Sequence, residues 1–255
     1  MPTSLTVPAP LQGAALTHPY PLVFATVSGA HLYGFPSPDS DWDLRGVHVL
    51  PAREVLGLHE RRETIGDERI VDGLERDLVT HDLRKFITLM LKPNGYVLEQ
   101  LHSPLVIATT PEHAELISLG RRCVTRFHAH HYLGFSAGQW KLLNRDDPLR
   151  IKPLLYTFRT LLTGLHLMRT GEIEANLAVL NEDARLPYLD ELMARKRSGR
   201  EKEPLDGDLT RYEAEFRRLT GELDEARVST SLPAKVAPDV EAALSDLMVR
   251  LRLRA

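Results

Sequence analysis

Asp41 and Asp43 stand two residues apart, with Trp42 between them, at the end of the polar loop Pro36-Ser37-Pro38-Asp39-Ser40. At the start of a β-strand this spacing sends both side chains to one face, where two carboxylates can share a divalent cation. Magnesium prefers hard oxygen ligands and retains several waters, which suits carboxylates that share the ion with substrate phosphates. Upstream lies Ser28-Gly29-Ala30-His31-Leu32-Tyr33-Gly34. Its first glycine lets the chain turn tightly and bring backbone N–H groups close to a polyphosphate. An isolated Asp-x-Asp is usually a turn with solvated carboxylates. The order strand, glycine turn, loop, Asp-x-Asp and strand favours a phosphate and metal site instead.

The elements that must position these residues are legible nearby. Pro21 to Val27 is short, apolar and β-prone, and reads as a buried strand feeding the turn at Ser28-Gly29. A second strand is expected over Trp42 to Leu50, with Leu44, Gly46, His48 and Leu50 on one face and Asp43, Arg45, Val47 and Val49 on the other. Further strands are expected at Arg61 to Ile65 and Asp77 to Thr80. A helix at Asp82 to Leu91 follows, with Asp82 as its N-cap and Leu83, Phe86, Ile87 and Met90 on its apolar face. Pro93-Asn94-Gly95 stops that helix, and a short Tyr96 to Leu101 helix and a Leu105 to Ala108 strand complete an α/β unit that ends near Pro111.

Beyond Pro111 the pattern becomes helical, over Glu115 to Asn144, Lys152 to Arg169, Tyr188 to Arg197, Asp208 to Glu225 and Asp239 to Arg252. Leu209, Tyr212, Phe216, Leu219 and Leu223 form one apolar stripe, read as core. The expected division is therefore an N-terminal extension over 1–20, an α/β domain over 21–111 and a helical domain over 112–255.

With 255 residues, 43% hydrophobic and 26% charged, the chain can bury a substantial core. A net charge of -3 excludes a global basic footprint for nucleic acid, so any polyanion contact must be a local patch. The start of the chain is broken by Pro2, Pro8, Pro10 and Pro19, which does not fit a signal peptide, and no apolar run is long enough to span a bilayer. A single cysteine, Cys123, fits a reducing compartment, so the expectation is a cytoplasmic protein without a membrane role.

The run from Ser37 to Val47, together with Gly34, Asp82-Leu83-Arg84-Lys85-Phe86, Asn94 to Leu101 and Lys152 to Arg159, resembles the RlaP/YcgL-type nucleotidyltransferases of the DNA-polymerase-beta superfamily, a group associated with RNA ligases. Leu232-Pro233 also fits, so the resemblance covers nearly the whole chain. It implies an α+β fold, a polymerase-beta-like mixed sheet with helices followed by an all-helical C-terminal domain. It also implies magnesium or manganese as cofactor, an NTP such as ATP as donor, and an acceptor hydroxyl, with an RNA end or an RNA ligase system as candidate partner in RNA repair. The implied metal ligands and catalytic carboxylates are Asp41, Asp43 and a third acid on a later strand, for which Asp77 is the candidate and Glu75 the alternative.

The resemblance further implies nucleotide contacts from Ser28, Gly29, Ala30 and Ser40. Lys152, Tyr156 and Arg159, spaced four and three apart on one helical face, are candidates for triphosphate and base. The plain alternative for these three is a core tyrosine with two solvated cations at a rim. Where the family places Ser after the turn glycine, this sequence has Ala30, so the competing expectation is a nucleotide-binding sensor or antitoxin-like module with weak or no turnover. Two other features are read as structural. His128, His130 and His131 lie in a helical pattern without further metal ligands at suitable spacing, and the charged stretch Arg195 to Pro204 reads as an exposed linker.

Overall fold

The computed structural model describes residues 7–58, 62–199, 202–205 and 209–255. The chain divides into two compact units. One comprises the residues up to Leu32, Asp41–Cys123 and the chain from Val236 onward; the other comprises Tyr33–Ser40 and Val124–Lys235.

The first unit contains helix α1 (Ala9–Leu16), strand β1 (Leu22–Val27), most of the short helix α2 (Gly29–Tyr33), β2 (Trp42–His48), α3 (Ala52–Leu56), β3 (Thr64–Val71), β4 (Leu74–Asp82), α4 (Leu83–Met90), α5 (Gly95–Leu101), β5 (Val106–Thr109) and α6 (Pro111–Arg122). The strands form one mixed sheet in the order β3-β4-β2-β1-β5, in which only the β2–β4 pair is parallel. The fold is α+β. Expected strands at 21–27, 42–50 and 105–108 correspond to β1, β2 and β5. The strand expected at Asp77 to Thr80 runs longer, and the one expected at 61–65 begins at Thr64 and reaches Val71, its expected first residue Arg61 lying outside the described residues. Both differences come from the Asp72-Gly73 turn. There two successive residues hold positive φ, and the hairpin pairs every position from Thr64↔His81 to Val71↔Leu74.

Alternation sets the two faces of the sheet. On β4 the side chains of Arg76, Leu78, Thr80 and Asp82 are buried, whereas Asp77, Val79 and His81 are half-exposed on the other side. The buried face carries Val27, Trp42, Leu44 and Leu78 in one apolar cluster, and Leu11 of α1 closes over it. The short helix α1 was not legible because prolines interrupt its surroundings, but Pro8 and Pro10 sit at its N-cap and first turn, where no amide hydrogen is required. Asp82 does cap α4, its carboxylate accepting from the Arg84 amide at 3.1 Å.

The second unit is helical: α7 (His128–Leu143), α8 (Ile151–Thr170), α9 (Leu177–Ala184), α10 (Pro187–Ser198) and α11 (Thr210–Ser229). Asp208, the expected start of the last of these, lies outside the described residues. The long helix expected over Glu115 to Asn144 is instead two. It breaks at Cys123–Phe127, where the Thr125 amide donates to His128 Nδ1 at 3.1 Å and Val124 turns inward. α8 is buried on nearly every side and ends at Gly171 in the left-handed conformation, a glycine C-cap.

The observed units also cross the expected boundary at Pro111. The last helix, α12 (Pro238–Arg252), belongs with the sheet, where Val240, Leu244 and Leu247 are buried and Arg252 binds Asp82. Residues 33–40 belong with the helices. The first four residues of the stretch read as an exposed linker, Arg195–Ser198, are the end of α10. Lys196 is fully buried, its Nζ donating to Ser37 Oγ at 2.7 Å, and Arg197 donates to the Gly34 carbonyl, while Arg200 and Glu201 lie outside the described residues. A buried ammonium with a hydroxyl partner is invisible to a charge count, which assigns such a run to solvent.

Candidate active site

The site begins at the paired edge of β2 and β4. These parallel strands place Asp43 directly opposite Asp77, and both side chains project to the half-exposed face. This register selects Asp77 over Glu75 as the carboxylate beside Asp43, because Glu75 precedes Arg76, the first β4 residue paired with β2.

Between the two carboxylates sits a residue that sequence reasoning assigned no role. Arg45 shares the Asp43 face of β2, and its Nη2 donates to Asp43 Oδ1 at 2.5 Å and to Asp77 Oδ2 at 2.8 Å. Its Nη1 donates to the carbonyls of Leu44 at 2.9 Å and Asp77 at 2.8 Å, and its Nε to the Tyr96 hydroxyl at 3.1 Å. Burial opposes the guanidinium charge, but Tyr96, Asp43 and Asp77 outweigh it and raise the pKa further, so Arg45 is a fixed cation. The i, i+2 spacing of Asp43 and Arg45 was the available signal.

Across the strand end, the Ser28 amide donates to the Asp43 carbonyl at 2.8 Å, which ties the turn to β2. Gly29 holds φ at +62°, and a Cβ there would lie 1.9 Å from Asp43 Oδ2, so only glycine lets the turn pass this close to the carboxylate. Ala30 is buried and brings no hydroxyl. The Ser28 hydroxyl is buried with no hydrogen-bond partner among the described residues. His31 stacks on Trp42, ring centroids 3.7 Å apart, and so braces the turn against the residue between the two acids. Asp41 is placed with Asp77 on a cavity of about 420 Å³, also lined by Glu68, Arg69, Glu75 and Arg76.

The three expected metal ligands are therefore not gathered as one cluster, and among the described residues no group of three His, Cys, Asp or Glu side chains is close enough to hold a metal ion. What the structure shows is a pair, Asp43 and Asp77, converging on a single nitrogen. Two carboxylates within 2.8 Å of one cationic atom can equally serve a compact divalent ion, so the donor chemistry fits magnesium or manganese.

The remaining expected residues lie in the helical unit. Lys152 Nζ is 5.7 Å from the centroid of the Tyr156 ring, and Tyr156 meets Tyr33 and Phe35 edge-on at 5.5 Å. Arg159 is buried, its guanidinium 3.8 Å from the centroid of the Tyr33 ring. The solvated-rim reading does not hold for Arg159, which is a stacked, desolvated cation. Ser40 is engaged locally, its hydroxyl accepting from the Ser37 amide at 3.0 Å. Cys123 is buried, and burial pushes its thiol up to about 11, away from thiolate chemistry. Among the described residues no helix is long and apolar enough to cross a membrane.

Comparison with known proteins gives this geometry its context. The family described as RlaP, the RNA repair pathway DNA polymerase beta family, matches residues 6–250. The chain belongs to this family. Membership places it among nucleotidyltransferase-type proteins. The chain is 30% identical over 188 residues to the uncharacterized protein YcgL of Bacillus subtilis, covering 71% of each chain. It is 29% identical over 160 residues to the uncharacterized protein MJ0002 of Methanocaldococcus jannaschii, covering 61% of this chain and 64% of the relative, a little under two thirds of its length. A crystal structure of a nucleotidyltransferase-like protein from Exiguobacterium sibiricum overlaps 93% of this chain and 76% of that one at 11% identity and a TM-score of 0.31.

Proposed function

We propose that this protein transfers a nucleoside monophosphate from an NTP to an acceptor hydroxyl, with an RNA end as the favoured acceptor class. The observation that carries the reading is the convergence of Asp43 and Asp77 across parallel strands, with the Gly29 turn packed against the same carboxylate. The backbone amides of Gly29 and Ala30 are the proposed phosphate contacts. Asp43 and Asp77 would hold magnesium or manganese, with Asp41 on the adjoining cavity as the third acid the resemblance implies, and the ion would supply positive charge against the phosphates and the attacking and leaving oxygens. Asp77 takes the proton of the acceptor hydroxyl as that oxygen bonds the α-phosphorus. The bond from the α-phosphorus to the bridging oxygen breaks in line, and pyrophosphate leaves with the electron pair. The expected nucleotide contacts of Lys152, Tyr156 and Arg159 rest on the sequence resemblance alone.

One observation favours a second reading, nucleotide binding without turnover: Ala30 offers no hydroxyl to a phosphate, and the neighbouring Ser28 hydroxyl is buried. The deciding experiment incubates the protein with α-labelled NTPs, Mg2+ or Mn2+, and RNAs with defined ends. Label transfer with pyrophosphate release, lost in Asp43→Asn and Asp77→Asn, supports the transferase. Saturable NTP binding without transfer to any acceptor supports the binding module, and release of free phosphate points to a hydrolase built on the same acids.

A further inference from the structure

Arg45 does more at the carboxylate pair than the family signature asks of it. All of its donor nitrogens are engaged, on Tyr96 Oη, the Leu44 and Asp77 carbonyls, and the carboxylates of Asp43 and Asp77. A guanidinium cannot be deprotonated in a protein, so it brings a permanent positive charge to the place where a metal ion would bind. A lone divalent cation approaching Asp43 and Asp77 therefore meets a pair whose charge is already partly neutralised. It must also compete for oxygens that point at Nη2. The triphosphate of an NTP reverses this balance, because its negative charges offset both cations at once.

On this basis, and resting on the nucleotidyltransferase reading above, we propose that Arg45 is a resident countercharge that makes divalent-metal binding depend on nucleotide. The metal enters the site as the metal–NTP complex and not as the free ion. Tyr96 contributes by holding Nε, which keeps the fork pointed at the carboxylates.

The test is direct Mn2+ binding to the full chain, followed by the electron paramagnetic resonance of free Mn2+, with and without an NTP analogue that carries a methylene bridge between the α- and β-phosphorus. Wild-type protein is expected to bind Mn2+ weakly alone and about tenfold or more tightly with the analogue. Arg45→Met, similar in length and uncharged, is expected to bind Mn2+ alone about tenfold more tightly than wild type, with a correspondingly smaller effect of the analogue. Equal or weaker Mn2+ binding by Arg45→Met overturns the countercharge role while leaving the metal site standing. No Mn2+ binding by either protein, with or without analogue, overturns the nucleotidyltransferase reading as well. If Arg45→Met fails to fold, Tyr96→Phe carries the test. It loosens the fork at a half-exposed position, and Mn2+ affinity unchanged from wild type refutes the proposal.

Discussion

Replacement of Arg252 by Ala would expose how strongly the C-terminal helix is tied to the sheet. Arg252 meets the buried Asp82 carboxylate with both ends of its fork, Nη1 to Oδ1 at 2.8 Å and Nη2 to Oδ2 at 2.9 Å, and Nη1 also donates to the Leu50 carbonyl. Removing one member of a buried ion pair costs about 3–5 kcal/mol, because the other is left charged and desolvated. Here Asp82 retains the amides of Leu50 and Arg84, each at 3.1 Å, which places the expected loss near ~3 kcal/mol, the lower end of that range. Burial alone would raise the Asp82 pKa, and Arg252 with the two amides reverses this and holds it below its ordinary 3.8. In wild type the pair's contribution is therefore fully present above pH 3.8 and is lost as the pH falls through the depressed native value. In Arg252→Ala the cation is gone and only the two amides oppose burial, so the native pKa rises above its wild-type value. The penalty should then shrink as pH falls from 7 towards 4, since protonation relieves it. Urea unfolding monitored by Trp42 fluorescence in a Trp140→Phe background reads the sheet unit by itself, since Trp42 lies in that unit and Trp140 in the helical one. A loss below about 1 kcal/mol, typical of an exposed pair, or a loss equal at pH 7 and pH 4, would refute the argument.

Two further substitutions test close approaches of the backbone. Gly29→Ala should destabilise the sheet unit by about 2 kcal/mol or more, from the left-handed backbone and the contact with Asp43 Oδ2. It should also weaken nucleotide-dependent Mn2+ binding; wild-type stability in thermal unfolding would show that the turn is not held there. In the helical unit, a Cβ on Gly164 would sit 2.9 Å from Leu223 and from the buried Tyr132. A helix-propensity gain of up to about 1 kcal/mol for Gly164→Ala is then outweighed by an overpacking cost of about 1–3 kcal/mol, a net loss. Gly138, with open space around it, should gain stability as Ala, and chemical denaturation of the two variants should give opposite signs.

Local rules explain why so much of the sheet unit could be read in advance. Alternation along Trp42–His48 and the apolar run before Ser28-Gly29 are properties of neighbouring residues, and so is the capping of α4 by Asp82. The pairing of β2 with β4 was not readable this way, because it joins residues 34 positions apart in sequence, as in Asp43↔Asp77. Without that register Asp77 and Glu75 could not be separated, and Arg45 had no visible partner. Arg45 was passed over because a cation beside two aspartates in sequence looks like any solvated charge until a second strand brings the other carboxylate.

The sequence by itself determined the acidic pair, the glycine turn before it, the identity of the strands that carry them, and the helical texture after Pro111. Only the tertiary structure decided that Asp77 faces Asp43 and that an arginine sits between them. It also assigned α12 to the sheet and residues 33–40 to the helices, with Lys196 buried on Ser37. The physical reason is common to all of these. Secondary structure follows from periodicity within a turn or two of chain, whereas the desolvation of a charge depends on what distant segments bring to it, and that is set by packing.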